Sequence, residues 1–214
     1  MRWVPLFFPA VSDPVSRPTR RELRQRMRQA RVALPTRERV KAMAALVEQL
    51  DGLAEIHTDT RVAGYWASDG ELPLAGVLPG LLARGAEYFL PVVPASLAKP
   101  LWFAPWRTGQ PVQPNRYGIP EPADAERNLV AAESLELVLA PLVAFDRRGH
   151  RLGMGGGFYD ATFAFLSSGE RPRPPLLVGI AYSFQELEAF VPQGHDVHLD
   201  YVCTERELIE CARD

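Results

Sequence analysis

Residues 135–145, Leu-Glu-Leu-Val-Leu-Ala-Pro-Leu-Val-Ala-Phe, are apolar apart from Glu136 and Pro141. A strand with no polar face cannot lie on water, so this one must be covered on both sides. That is the setting of a parallel sheet whose crossover helices pack on both faces. Other segments fit the same scheme. Stretches 61–66, 88–93, 101–105, 176–182 and 201–204 read as strands, and helical patterns separate most of them. The expectation is α/β: a single domain with a mostly parallel sheet flanked by helices. The chain has 214 residues, which suits one large domain at roughly 100–200 residues each. The domain is expected over 19–214, after an extension at 1–18 that holds Pro5, Pro9, Pro14 and Pro18.

Helix boundaries are marked locally. Thr19-Arg20-Arg21-Glu22 has the form of a capping box, with Glu22 reaching back to the cap. Leu23, Met27, Ala30 and Leu34 follow at spacings of four, three and four, one stripe of a helix. Pro35 ends it. Thr36 is placed to cap a second helix with Val40, Met43, Ala44, Val47 and Leu50 on its apolar side. Residues 74–83 read as a helix made imperfect by Pro79. Residues 107–123 read as a rigid loop stiffened by Pro111, Pro114, Pro120 and Pro122. A short helix is expected at 158–166, a linker at 169–175, and a C-terminal helix after the last strand.

Charge narrows the function classes. The 24 basic and 26 acidic side chains leave a net charge of −2. Neither a general nucleic-acid coat nor a polybasic membrane binder is expected, because both need a broad positive field. No apolar run approaches the ~20 residues that span a bilayer. The apolar residues 1–10 lack a long core and a small-residue cleavage site, so they read as a tail rather than a secretory signal. Two cysteines, Cys203 and Cys211, exclude a disulfide scaffold and suit a reducing cytoplasm. Any anion site must then be local. The partners expected are small molecules, and the chain is expected to be a monomer.

Such a site is suggested by Asp146-Arg147-Arg148-Gly149-His150-Arg151-Leu152-Gly153-Met154-Gly155-Gly156-Gly157-Phe158-Tyr159-Asp160. Four of the five positions from 153 to 157 are glycine. Glycine admits positive φ and lets successive N–H groups turn toward one point. The bend lies between a buried strand and a helix, where its amides and the helix start would face an anion, most simply a phosphate. Arg147, Arg148 and Arg151 supply charge that can grip phosphate oxygens. A Walker A loop is excluded by the absence of Gly-Lys-Ser/Thr, and the dinucleotide fingerprint by Phe158 where its third glycine would stand. The bend could also be a turn that merely reverses the chain. Asp160 is placed to hold Mg²⁺ beside a phosphate, or simply to complement the helix dipole.

Other residues are suggestive only in company. Arg20, Arg24, Arg28 and Arg31 share a face of the first helix, either as a solvated basic stripe or as a second set of phosphate contacts. Glu71 follows the turn Ser68-Asp69-Gly70 at a strand end, where α/β proteins place ligands. Trp66 and Tyr117 could stack on a flat ring or simply pack. His195-Asp196-Val197-His198-Leu199-Asp200 alternates as an extended segment does, with Asp196, His198 and Asp200 on one side. There is no Gly-x-Ser-x-Gly and no His-Glu-x-x-His, so covalent and zinc hydrolysis are not indicated.

Assembled, these residues resemble the 5-formyltetrahydrofolate cyclo-ligases over about positions 20–207. The string Arg151-Leu152-Gly153-Met154-Gly155-Gly156-Gly157-Phe158-Tyr159-Asp160 carries the resemblance. It is supported by Arg20 and Arg24, Glu71, Gly118-Ile119-Pro120-Glu121-Pro122, His195-Asp196 and Thr204-Glu205. The resemblance implies a fold similar to ribose-phosphate isomerases and CoA transferases. It implies ATP-dependent conversion of 5-formyltetrahydrofolate to 5,10-methenyltetrahydrofolate, with Mg²⁺, ADP and phosphate. The formyl oxygen would attack the γ-phosphate, and N10 would then close the ring.

By position the resemblance assigns Arg20, Arg24 and Arg151 to Tyr159 (Leu152, Gly153, Met154, Gly155, Gly156, Gly157 and Phe158 between them) to ATP. Arg151 and Tyr159 would act in catalysis. Trp66, Glu71, Tyr117 and the stretch from Met154 to Phe158 would bind the folate, and Asp160 and Asp196 would serve Mg²⁺. The chain departs from the pattern at four positions. Met154 and Gly156 stand where some members carry lysine or arginine, Arg20 where lysine is common, and Ala161 where arginine often follows the aspartate. Two other readings remain at this point. One is a phosphosugar isomerase or acyl-CoA transferase, which would need a carboxylate or lysine in the crevice, and only Lys41 and Lys99 are available. The other is a binding module without turnover.

Overall fold

The computed structural model describes residues 18–96, 99–168, 172–188, 191–194 and 196–212. The expected extension lies outside them except for Pro18, as do His195 and part of the expected linker.

The capping box forms as the sequence indicates. Thr19 Oγ1 accepts from the Glu22 N–H at 3.3 Å, and the Thr19 N–H donates to Glu22 at 2.8 Å. Helix α1 runs Arg20–Ala33 and ends on Leu34 and Pro35. Helix α2 covers Thr36–Leu50, with Pro35 rather than Thr36 at the cap. Pro35 is already extended there, and its carbonyl accepts from the amides of Glu38 and Arg39. After α3 (Glu55–Thr58) comes β1 (Arg61–Ala63), then α4 (Leu78–Ala83). The last starts later than the expected 74. Pro79 sits in its first turn, where a missing N–H costs nothing.

β2 (Glu87–Val92) and β3 (Trp102–Pro105) form an antiparallel pair. The proline-rich stretch that read as a loop contains a small hairpin, β4 (Val112–Pro114) with β5 (Pro120–Pro122). Its turn is closed by Asn115, whose Oδ1 accepts from the amides of Tyr117 and Ile119, and by Gly118 at φ +75°. The long apolar run divides into β6 (Leu137–Pro141) and β7 (Ala144–Phe145). Pro141 has no N–H to continue the ladder, and buried Gln185 bonds the carbonyls of Leu142 and Val143 at the bend. β7 pairs antiparallel with β8 (Arg151–Leu152). Helix α5 (Phe158–Phe163), β9 (Leu176–Ile180), β10 (Tyr201–Cys203) and β11 (Leu208–Glu210) complete the chain.

The expected C-terminal helix is therefore a strand. Thr204 Oγ1 accepts from the amides of Arg206 and Glu207, folding a tight turn that returns the chain antiparallel onto β10. Ile209 and Cys211, two residues apart, are both buried, the period of a strand rather than of a helix.

The main sheet has seven strands in the order β11-β10-β9-β6-β1-β2-β3, parallel across its centre with an antiparallel strand at each edge. Successive residues alternate between two cores. Val62, Leu137, Leu139 and Val178 join Leu46 and Leu50 of α2 on one face. Ala63, Val138, Ala140 and Leu177 join Phe103, Phe163 and Leu166 on the other. Burial on both faces, at about 1.5–3 kcal/mol per large apolar side chain, holds β6 central. It also fixes where β1 and β6 end, and the site is built from the chain that leaves those ends.

Candidate active site

The β7–β8 hairpin separates its arginines. Asp146, 1% exposed, accepts from the amides of Arg148 and His150 and contacts the His150 ring at 3.0 Å. This closes the tip, with Gly149 at φ +84°. Arg147 points from the tip to Glu186 and Glu207 at 2.7 and 2.5 Å, and Arg148 to Asp146 at 3.8 Å. The expectation that both charge the glycine bend is overturned. An antiparallel hairpin puts its tip at one end and its exit at the other.

Arg151 is the hairpin arginine that faces inward. It is 4% exposed, donates to the Val197 carbonyl, and pairs with Asp160 at 2.6 Å. Burial lowers its pKa, opposed by Asp160 and Asp196, yet a guanidinium stays charged. The same Asp160 oxygen accepts from the Val197 N–H at 3.1 Å, which ties α5 to the segment carrying Asp196. Asp196 Oδ2 accepts from both terminal nitrogens of Arg20 at 3.0 Å and from the Gln193 N–H at 2.8 Å. Arg24 donates to the Gly153 carbonyl at 2.8 Å. Its pKa is lowered by burial and by the neighbouring Arg20 charge. Arg20, Arg24, Arg151, Asp160 and Asp196, up to 176 positions apart in sequence, thus gather around the bend.

The bend is exposed at Met154, Gly155 and Gly156. Gly155 has φ +101° and Gly157 φ +72°. A Cβ on Gly155 would lie 3.5 Å from the Arg24 guanidinium, and one on Gly157 3.3 Å from the Lys99 ammonium nitrogen. Lys99, from the β2–β3 connection, is brought here by the fold, because nothing in its local pattern links it to a glycine 58 positions on. Helix α5 is only six residues long before tightening to a 3₁₀ turn. Its dipole is accordingly small, and the positive character of the bend comes from side chains.

Arg28 and Arg31 have another task. Both reach Asp69, at 2.6 and 2.9 Å. Arg31, fully buried, also bonds the Leu142 carbonyl at 3.1 Å and lies 3.8 Å from Glu71. They pin the turn Ser68–Glu71, in which Asp69 and Gly70 have φ +49° and +73°, onto the exit of β6. Glu71 Oε2 accepts from the Ser68 N–H at 3.0 Å. Burial raises its pKa, against the lowering by Ser68 and Arg31.

Two aromatic groups lie on the same connections. Trp66 meets Trp106 edge-on at 5.7 Å, and Trp106 meets Tyr88 at 6.4 Å. Trp106 follows β3, and no sequence signal singled it out. Tyr117, 57% exposed at the β4–β5 tip, meets Phe158 edge-on at 5.8 Å. The phenol of Tyr159 is raised in pKa by burial and then by the Glu71 charge, with Arg151 opposing. Tyr159 therefore feels both the Glu71 carboxyl and the Arg151 guanidinium.

Asp200 does not join Asp196. Its Oδ2 accepts from the buried Leu177 N–H at 2.8 Å, anchoring β9. His198 Nδ1 lies 2.7 Å from the Leu199 carbonyl. Among the described residues no group of three or more His, Cys, Asp and Glu could enclose a metal. Two carboxylates by a phosphate site are nonetheless the donor set of a hydrated Mg²⁺, which takes one or two protein oxygens. Asp160 fits this, since its described bonds all fall on one oxygen. Among the described residues no helix is long and apolar enough to cross a membrane.

Known proteins share this arrangement of chain. A family model described as the 5-formyltetrahydrofolate cyclo-ligase family matches residues 16–205. The 5-formyltetrahydrofolate cyclo-ligase of Haemophilus influenzae is 30% identical over 180 residues, 84% of this chain and 94% of the relative. That of Escherichia coli K12 is 34% identical over 149 residues, 70% of this chain and 80% of its own. The solved 5,10-methenyltetrahydrofolate synthetase of Aquifex aeolicus superposes with a TM-score of 0.75 at 28% identity, over 91% of this chain and 94% of that one. Arginines, glycine bend and buried glutamate thus lie within one continuous match, and the chain belongs to the 5-formyltetrahydrofolate cyclo-ligase family.

Proposed function

We propose that the protein converts 5-formyltetrahydrofolate and ATP to 5,10-methenyltetrahydrofolate, ADP and phosphate. The observation that carries this is that one helix, α1, joins two unlike groupings of residues, through Arg24 to the glycine bend and through Arg31 to the Glu71 turn. On one side lies a glycine bend ringed by Arg20, Arg24 and Arg151, suited to a polyphosphate. On the other, held by the same helix, lies a mostly buried carboxyl, Glu71, five residues after Trp66, suited to a pterin. Glu71 would hold the ring's N–H groups, and Trp66 and Tyr117 would lie against its faces. The site would work on small molecules in a monomer, and the free, buried Cys203 and Cys211 suit a reducing cytoplasm.

A formamide is a weak electrophile whose oxygen is a poor leaving group. Bonding that oxygen to the γ-phosphorus cures both faults. The oxygen–phosphorus bond forms as the bond from the γ-phosphorus to the β,γ-bridging oxygen breaks, and its electron pair leaves with ADP. N10 then adds to the activated carbon and loses its proton, and phosphate departs with the former formyl oxygen. Nothing here needs a covalent nucleophile from the protein. The chain's task is alignment and charge compensation. Arg24 fixes the bend through the Gly153 carbonyl, Arg20 holds Asp196, and Arg151 holds Asp160 in place. Preorganised donors of this kind stabilise charge without reorganising. Mg²⁺, when bound by Asp160 and Asp196, supplies further neutralisation of the phosphate oxygens.

The test is turnover. Purified protein with 5-formyltetrahydrofolate and Mg-ATP is expected to generate the near-ultraviolet absorbance of the methenyl product. Folded protein that binds both compounds without that change refutes the reading and leaves a binding module.

A further inference from the structure

We propose that Lys99 contacts the phosphates of the nucleotide, delivered to the glycine bend from the connection between β2 and β3. The proposal rests on the reading above that the bend holds ATP.

Position is the first ground. The Lys99 ammonium nitrogen lies 3.3 Å from where a Gly157 Cβ would be, and its side-chain Cδ 3.9 Å from the same point. A glycine here lets a cation approach the main chain that a phosphate would face. The approach is also anchored. Two residues on, the Leu101 N–H donates to Thr162 Oγ1 at 2.8 Å, and that hydroxyl donates to the Phe158 carbonyl at 2.6 Å. Leu101 and Thr162 are both buried. Lys99 is thereby tied to the first turn of α5, immediately after the bend, with Pro100 limiting the chain between.

Commitment is the second ground. Arg20 is engaged with Asp196, Arg24 with the Gly153 carbonyl, and Arg151 with Asp160 and Val197. Lys41, the chain's other lysine, pairs with Glu38 on α2. No described residue forms a hydrogen bond or ion pair with Lys99. The bend itself contributes no cation from Leu152 to Phe158. A strongly hydrated ammonium at the end of a flexible stem is a point-charge phosphate ligand, and Lys99 brings one where the loop sequence lacks it. It neither gives nor takes a proton. It offsets the charge that passes to ADP as the bond to the γ-phosphorus breaks.

The test compares wild type, Lys99→Met and Lys99→Arg in steady-state kinetics, nucleotide titration and thermal unfolding. Lys99→Met is expected to lose about 10- to 100-fold in kcat/KM for Mg-ATP, the range for removing one charge-bearing phosphate donor. KM for 5-formyltetrahydrofolate should stay within about twofold, as befits a cation that meets the phosphates rather than the folate. Unliganded Tm should not move, and Lys99→Arg should recover most of the loss. A Lys99→Met enzyme with wild-type ATP kinetics overturns the proposal, as does a loss confined to KM for the folate, which would assign Lys99 to the folate's carboxylates. Wild-type protein that binds no nucleotide overturns the function and this role together. Wild-type turnover untouched by Lys99→Met overturns this role alone.

Discussion

Glu71 is a carboxyl held out of water, with its charged form penalised by burial. Its raised pKa means that the folded chain binds the proton more tightly than the unfolded chain. Stability is therefore fully present at low pH and is lost as pH rises through the Glu71 range. Glu71→Gln keeps the shape and an acceptor for the Ser68 N–H. It is expected to match or exceed wild type in Tm at neutral pH, with the gap closing as pH falls into the carboxylate range. Folate affinity should drop at the same time. Thermal scans across pH check the first part and titration calorimetry the second. A fall in Tm at neutral pH would contradict the desolvation account. Asp160 differs, because it pairs a buried arginine and is proposed to serve Mg²⁺. Removing the partner of a buried charge costs about 3–5 kcal/mol, so Asp160→Ala should lose stability as well as turnover. Asp160→Asn should remain folded yet need a higher Mg²⁺ concentration for half-maximal rate. An unchanged Mg²⁺ titration would remove Asp160 from the metal.

At the scale of elements, α1 works as a strut. Of its four aligned arginines, Arg20 and Arg24 reach Asp196 and the glycine bend, the side proposed for the nucleotide, and Arg28 and Arg31 pin the Glu71 turn. Arg31→Met is expected to cost about 3–5 kcal/mol in urea unfolding, since it abandons Asp69 and a buried carbonyl. A loss below about 1 kcal/mol would mean the stripe is mere solvated surface. The bend has its own signature. Gly155 at φ +101° leaves an L side chain strained, so Gly155→Ala should weaken the rise in Tm given by Mg-ATP more than it lowers the unliganded Tm. The capping box of α1 was readable because its partners are three residues apart. The bend was readable because four glycines in five positions are costly without a use. The tasks of Arg147 and Arg28 were not, because they depend on which end of a hairpin or helix meets which loop. The C-terminal strand was missed for the same reason, its pairing with β10 being decided by tertiary contact and not by local propensity. Lys99 and Trp106 carry no periodic signal, and only the sheet order brings them to the site.

Across the whole molecule, the parallel centre of the sheet sets the ends of β1 and β6 side by side, so the Glu71 turn and the bend after Pro141 can share Arg31. The Glu71 turn is thus pinned to the end of β6 before any ligand arrives. Ligand binding should then stabilise the whole fold by mass action. Mg-ATP at a hundred times its Kd is worth about 2.7 kcal/mol, or roughly 5–10 °C in Tm for a domain of this size. Absence of such a shift at saturation would argue against nucleotide binding. In the proposed reaction the formyl oxygen attacks the γ-phosphate. Turnover of 5-formyltetrahydrofolate labelled with ¹⁸O in the formyl group tests it most directly. The label is expected in inorganic phosphate, one atom for each methenyl group formed. Label recovered in water, with unlabelled phosphate, would contradict it.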